Sequence, residues 1–232
     1  MKGIDEHARV DIHSPLVPGV DDGSRTLEDA LESIERMTRA GIRAIVTTPH
    51  FNASLLRGPK GRERIEEVAA AFDELREAVA ERFPEVFLDR GFEIMLDDPD
   101  PDLSDHALRL AGTSFVLVEW PSMQVPPATE GVLQRIRASG LAPVVAHPER
   151  YHTPDRVVPL ARMWRNAGAY LQVNHGSLTG RYGSRVERRA WELLETGLVD
   201  YLATDHHGRP NLELHLDGVI ERLGELEAEE QL

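Results

Sequence analysis

Cysteine is absent from all 232 residues, which removes disulfides, thiolate nucleophiles and thiolate metal ligands and fits a reducing, cytoplasmic setting. Long apolar runs are missing too. None approaches the roughly 20 residues needed to cross a bilayer, and the charged opening Met1 to Arg9 has no hydrophobic signal core, so neither membrane insertion nor export is expected. Bases are scarce relative to acids: 26 Lys and Arg face 40 Asp and Glu, a formal net charge of −14. That balance repels a phosphodiester backbone, which argues against nucleic acid as a partner, and it suits cations. No Gly-rich phosphate fingerprint follows the first strand. What remains, 41% hydrophobic and 28% charged, is ordinary globular usage, and the length suits a single domain over residues 1–232.

What is present alternates. Apolar residues at three- and four-residue intervals predict helices over Thr26 to Ala40, Lys60 to Arg82, Ala128 to Ser139, Pro154 to Ala167, Ser184 to Thr196 and Leu212 to Leu226. Between them lie short apolar runs: one ending near His13, then Arg43 to Thr48, Val86 to Ile94, Ser114 to Trp120, Ala142 to Ala146, Ala169 to Val173 and Val199 to Thr204. Glycine stops four helices just before a strand, at Gly41, Gly140, Gly168 and Gly197. Strands buried on both faces and alternating with helices predict a parallel sheet. Seven such units predict an α/β fold, a distorted (β/α)7 TIM-like barrel; a doubly wound open sheet is the second choice. Asp97 to Asp105, rich in Pro and Asp, reads as a loop or lid.

The polar residues fall at one structural place. His13, His50, Glu93, Glu119, His147, Asp205 and His207 all lie at or just past the ends of predicted strands, which in a parallel barrel converge on one face. So many imidazoles and carboxylates on one rim need a cationic partner. Imidazole and carboxylate without thiolate suit Mn, Fe or Zn. Two ions roughly 3.5–4 Å apart would clamp nucleophile and leaving oxygen in an in-line displacement on phosphorus by a bridging hydroxide, with Glu93 as the bridging ligand. The stretch Val10 to Ser24, with Asp11, His13, Asp21 and Asp22, reads either as a wall of this site or as a turn and helix start. Asp205 and His207 face one side of an extended segment, so His206 points away and is either structural or an outer partner of the ligands. His7, His106, His152 and His215 belong to the surface; His175 stays open. Arg150 and Arg209 offer guanidinium forks to a phosphate.

The motifs Asp-Ile-His-Ser, Pro-Gly-Val-Asp-Asp-Gly-Ser, Thr-Thr-Pro-His, Gly-Phe-Glu, Val-Glu-Trp, Ala-His-Pro-Glu-Arg-Tyr, Gln-Val-Asn, Ser-Leu-Thr-Gly-Arg-Tyr-Gly and Thr-Asp-His-His occur in order between about residues 9 and 223. Together they resemble the bacterial manganese-dependent protein tyrosine phosphatases of the polymerase and histidinol phosphatase (PHP) superfamily, linked to capsule and exopolysaccharide synthesis. The resemblance implies a PHP-type barrel with a trinuclear site and hydrolysis of phosphotyrosine on a protein, typically the tail of a cognate tyrosine kinase. It places metal ligands on His13, Asp22, His50, Glu93, Glu119, His147, Asp205 and His207, and catalytic groups on Arg150, Arg209, His50 and His207, with two or three Mn2+ ions. Three departures stand out. Pro15 occupies the second histidine of an expected His-x-His, the spacing at Arg209 is shorter than usual, and the chain stops before the usual final segment. Two other functions are weighed: a small-molecule phosphatase of the histidinol phosphatase kind, and a degenerate, non-catalytic binding module permitted by Pro15.

Overall fold

The computed structural model of the protein describes residues 9–153, 156–209 and 211–230. Among the described residues nine short strands in parallel pairing are interspersed with helices: β1 (Arg9–Asp11), β2 (Ile42–Thr47), β3 (His50–Asn52), β4 (Phe87–Arg90), β5 (Glu93–Met95), β6 (Phe115–Glu119), β7 (Ala142–Ala146), β8 (Tyr170–Asn174) and β9 (Tyr201–Ala203). The main helices are α1 (Leu27–Arg39), α2 (Pro59–Arg82), α3 (Thr129–Ala138), α4 (Val157–Asn166), a short α5 (His175–Leu178), α6 (Ser184–Glu195) and α7 (Leu216–Glu230). No helix among the described residues is long and apolar enough to cross a membrane.

Local chemistry explains the element ends. Thr26 Oγ1 accepts from Asp29 N at 3.1 Å and the Asp29 carboxylate accepts from Thr26 N at 3.2 Å, a reciprocal cap that starts α1. Gly41 and Gly140 turn the chain out of α1 and α3 at φ of +87° and +88°, where a side chain would be strained. The last helix begins at Leu216 rather than Leu212, and the fourth at Val157; its expected start, Pro154, lies outside the described residues, as does His7. The loop at residues 97–105 is strapped down: Asp97 accepts from Ser54 N and Oγ at 2.8 and 2.6 Å, Asp98 pairs with Arg57, and Arg135 donates to the Pro99 carbonyl.

The seven expected strand units are present, but two are split and the ladder does not close. Strand pairing gives a three-stranded sheet, β1-β2-β4, and a six-stranded one, β3-β5-β6-β7-β8-β9. The expected α/β fold of parallel strands is present, and in place of one barrel ladder the pairing among the described residues gives two parallel sheets; both seams have a chemical cause. At the first, Pro49 has no N–H to give a ladder. Pairing lapses after Thr47 opposite Arg90 and resumes at His50 opposite Glu93, with Gly91 N to Thr47 O (2.9 Å) and Glu93 N to Pro49 O (3.0 Å) spanning the gap. At the second, the Asp11 carboxylate replaces backbone pairing between β1 and β9, accepting from Thr204 N at 2.9 Å and Thr204 Oγ1 at 2.7 Å. Asp205 N then donates to His13 O at 2.9 Å.

Strand alternation positions the site. Phe115, Leu117 and Glu119 share one side of β6, as Tyr170, Gln172 and Asn174 share one side of β8. At one end this side is apolar, with Phe115, Tyr170 and Tyr201 in mutual ring contact and Leu117, Val144 and Ala146 clustered nearby. Towards the C-termini of β6 and β8 it becomes Gln172, Asn174 and Glu119, joined by Glu93 from the start of β5. The opposite strand faces pack Ile94, Val116, Val118, Leu171 and Val173 into the larger core with Trp120, Trp164 and Leu193.

Candidate metal centre

The strand ends gather carboxylates and imidazoles around Glu93, which is 1% exposed. Its Oε2 lies 3.1 Å from both His13 Nε2 and His50 Nδ1, and its Oε1 is 2.9 Å from His147 Nε2. Glu119, at the end of β6, sits 3.8 Å from both His50 Nδ1 and His147 Nε2. Asp22 reaches in from the loop after β1, with Oδ1 3.2 Å from His50 Nε2 and Oδ2 3.6 Å from His207 Nε2. Asp205 Oδ1 lies 3.6 Å from His13 Nε2 and 3.5 Å from His207 Nδ1. Three overlapping donor groups result, each with ligand atoms within 4.8 Å of one another: His13, Glu93 and His147; His50, Glu93 and Glu119; and Asp22, His50 and His207.

The electrostatics of this cluster call for cations. Burial opposes charge on His13, but the Glu93 and Asp205 carboxylates outweigh it and raise its pKa to about 10. Burial likewise opposes charge on His50, and hydrogen bonds to Asp22 and Glu93 raise it to about 12. Burial works against ionisation of Glu93, yet His13 and the other imidazoles hold it well below the usual carboxylate range. For Glu119 burial prevails, reinforced by the Glu93 charge, and pushes it up to about 8. A divalent cation bound among these groups would take the place of the protons that such shifts favour. His13 Nε2 is fully buried and, despite lying beside two carboxylates, has no hydrogen-bond partner; an imidazole nitrogen and two carboxylate oxygens aimed between one another form a ligand set. The residues fit divalent metal, and the all-N/O donor chemistry suits Mn, Fe or Zn.

The arginines occupy the rim. Arg150 Nη1 donates to Asp205 Oδ2 at 2.8 Å, and its guanidinium lies 4.4 Å over the Tyr182 ring. Arg209 Nη2 donates to the Asp22 carbonyl at 2.7 Å, while its buried Nε has no partner. Pro15 is buried in the wall, where its carbonyl accepts from Ser24 N at 3.2 Å; it offers the cluster no donor side chain.

Several residues contribute in roles that the sequence alone does not state. His13 Nδ1 donates to Gln172 Oε1 at 2.8 Å, Gln172 Nε2 to Asn174 Oδ1 at 2.9 Å, and Asn174 Nδ2 to Asp205 Oδ2 at 2.7 Å. This line of buried amides orients two candidate ligands, as outer partners of metal-bound imidazole do. Its sequence signal was alternation on β8: two polar residues on one side of an otherwise apolar strand. Glu149, fully buried, accepts from Asn174 N at 3.1 Å and Ser177 Oγ at 2.6 Å; burial pushes its pKa up to about 7. Asp21 Oδ2 accepts from His50 N at 2.9 Å and so fixes the backbone of a candidate ligand. Asp11 turns to Thr204 rather than to the cluster. His206 points away from its neighbours' cluster and is fully buried, with both ring nitrogens unpartnered and a pKa that burial lowers to about 3. His175 is buried, and His215, expected on the surface, is half-buried with Nδ1 3.0 Å from Thr179 Oγ1. His106 and His152 are exposed.

Residues 9–230 match the family described as capsular polysaccharide synthesis, CpsB/CapC. The chain belongs to the CpsB/CapC family. Within it, the tyrosine-protein phosphatase YwqE of Bacillus subtilis is 29% identical over 208 residues, covering 89% of this chain and 80% of that protein. CpsB of Streptococcus pneumoniae, a tyrosine-protein phosphatase, is 28% identical over 232 residues, covering 95% and 93%. A crystal structure from work on YwqE and CpsB, described as metal-dependent tyrosine phosphatases, superposes with a TM-score of 0.74 at 27% identity, covering 92% of this chain and 87% of the other. For this CpsB/CapC chain the glutamate-centred cluster is thus set in a fold shared with metal-dependent enzymes.

Proposed function

We propose that this CpsB/CapC protein is a metal-dependent phosphomonoesterase that hydrolyses phosphotyrosine on a protein, with a single PHP-type barrel domain over residues 1–232. The observation that carries the reading is Glu93: one buried carboxylate shared by His13, His50 and His147, with an arginine-bearing rim above it. The residues would hold two or three ions, Mn2+ in this proposal, on His13, Asp22, His50, Glu93, Glu119, His147, Asp205 and His207. Bound there, such ions supply Lewis-acid activation of water and charge neutralisation on the phosphoryl group.

The chain's own groups do the rest. Arg150, held by Asp205, presents its guanidinium edge to the phosphoryl oxygens, whose planar spacing a fork matches. Arg209 closes the other side from the loop after β9. Tyr151, fully buried, donates no charge to the site: burial, with Glu119 nearby, holds its phenol well above its usual range. A tyrosyl leaving group has a pKa near 10, so its departure needs only modest stabilisation. The substrate would be a tyrosine kinase of capsule or exopolysaccharide assembly, met in the cytoplasm. Small phosphoesters are the alternative substrates, and Pro15, which supplies no ligand, is the observation that favours a non-catalytic docking module.

Hydrolysis of a phosphotyrosyl peptide and of p-nitrophenyl phosphate tests all three. Mn-dependent turnover of both, abolished by chelator and by His147→Ala, is expected, with the peptide preferred. Preference for small phosphoesters transfers the assignment to a small-molecule phosphatase, and no turnover with any divalent metal overturns the enzymatic reading.

A further inference from the structure

We infer that Tyr182 is a positioning residue for phosphate recognition, fixing the plane of Arg150; this rests on the phosphatase reading above. Tyr182 lies beyond α5 in a tight turn closed by Gly183 N to Gly180 O at 2.9 Å. The turn lays its half-buried ring against Arg150, with the guanidinium carbon 4.4 Å from the ring centroid. Arg181 approaches the same ring at 5.4 Å. The Tyr182 hydroxyl takes a hydrogen bond from the Asn174 side chain, while burial and the Asp205 charge push its pKa up and keep it neutral.

Arg150 is therefore held twice. Asp205 grips one nitrogen at 2.8 Å, and the aromatic face covers one side of the guanidinium plane. An arginine side chain on a rim otherwise samples many rotamers, at an entropic cost each time a ligand fixes it. With Asp205 at one nitrogen and Tyr182 over one face, the open approach is along the guanidinium edge, the geometry of a bidentate oxyanion contact. The ring is anchored through Asn174 to the amide line that orients His13 and Asp205, so phosphate grip and ligand cluster share one support.

The test compares Tyr182→Phe, Tyr182→Leu and Tyr182→Met in the parent and in Arg150→Ala, each loaded with Mn2+. Readouts are KM and kcat for p-nitrophenyl phosphate, the dissociation constant of inorganic phosphate by calorimetry, and bound metal. Loss of the ring in Tyr182→Leu is expected to raise KM and the phosphate constant roughly tenfold, the scale of a partly desolvated cation–π contact, with kcat and metal content little changed. Tyr182→Met, which keeps bulk without a ring, should match it, and Tyr182→Phe, which keeps the ring but loses the bond from Asn174, should fall closer to the parent than Tyr182→Leu does. In Arg150→Ala, Tyr182→Leu should add nothing. Unchanged phosphate affinity in both Tyr182→Leu and Tyr182→Met, or a loss that adds fully to that of Arg150→Ala, overturns the inference while an active parent leaves the phosphatase reading standing. A parent that neither turns over nor binds phosphate defeats both.

Discussion

Gln172 Oε1 and His13 Nδ1 meet at 2.8 Å beneath the carboxylate cluster. An amide oxygen can only accept, so this contact keeps a proton on Nδ1 and makes Nε2, which faces Glu93 and Asp205, the nitrogen that would give up its proton to become a ligand. The tautomer of a candidate ligand is thus set by a residue on a different strand.

Gln172→Leu removes that instruction while keeping bulk. Metal affinity is expected to fall by roughly 10–100-fold, the range for lost outer partners of ligating histidines. Titration with Mn2+ followed by elemental analysis checks it, and unchanged affinity would show that His13 does not need the amide.

Chelated protein should lose stability as pH rises from 7 to 10. Folding raises His13 to about 10 and Glu119 to about 8, so each binds its proton more tightly in the folded state. The stability each contributes is present below its unfolded pKa and is lost as pH climbs through those raised values. Metal displaces these protons, so the loaded protein should resist the same rise and apparent metal affinity should increase with pH. Melting temperatures with and without chelator across this range decide it; a chelated protein that gains stability towards pH 10 contradicts the assignment.

Gly208 cannot be enlarged cheaply. A Cβ there would lie 1.7 Å from Ser24 Oγ, and its φ is +55°, so Gly208→Ala must push the loop carrying His207 away from the loop carrying Asp22. A cost of about 1–3 kcal/mol and a lower metal stoichiometry are expected, with ions lost from the Asp22, His50 and His207 group first. Denaturant midpoints and metal counting report the two effects separately.

Asp11→Ala should be costly without touching any candidate ligand. It strands the Thr204 amide and hydroxyl in a buried seam, and charged-acceptor bonds of this kind are each worth about 1.5–3 kcal/mol. Chemical denaturation reads the loss directly.

Much of this was legible in the sequence because two periodicities carry it. Helix α1 is written in the spacing of Ala30, Leu31, Ile34 and Met37, and β7 in an unbroken apolar run, so the order of elements follows from burial alone. His13, Glu93, Glu119 and His147 could be suspected because polar residues end apolar strands. The rest depends on contacts distant in sequence. Nothing local to Pro49 states that a missing N–H there divides one sheet into two, and nothing near Asp11 indicates that its partner is Thr204 rather than a metal. Gln172 and Asn174 look like ordinary strand polar residues until His13 and Asp205 stand beside them.

The Asp11 clasp also sets the order of assembly. Its two ends are 193 residues apart in the chain, and the His13 to Asp205 backbone bond spans nearly as much. Contacts so distant are made only after the chain between them has largely organised, because loop-closure entropy must be met first. During synthesis the first strand emerges long before its partner, so His13 and Asp22 must wait for Asp205 and His207 to leave the ribosome. Of the three donor groups, the one formed by Asp22, His50 and His207 is therefore the last to be completed, since the other two are made of residues between His13 and His147.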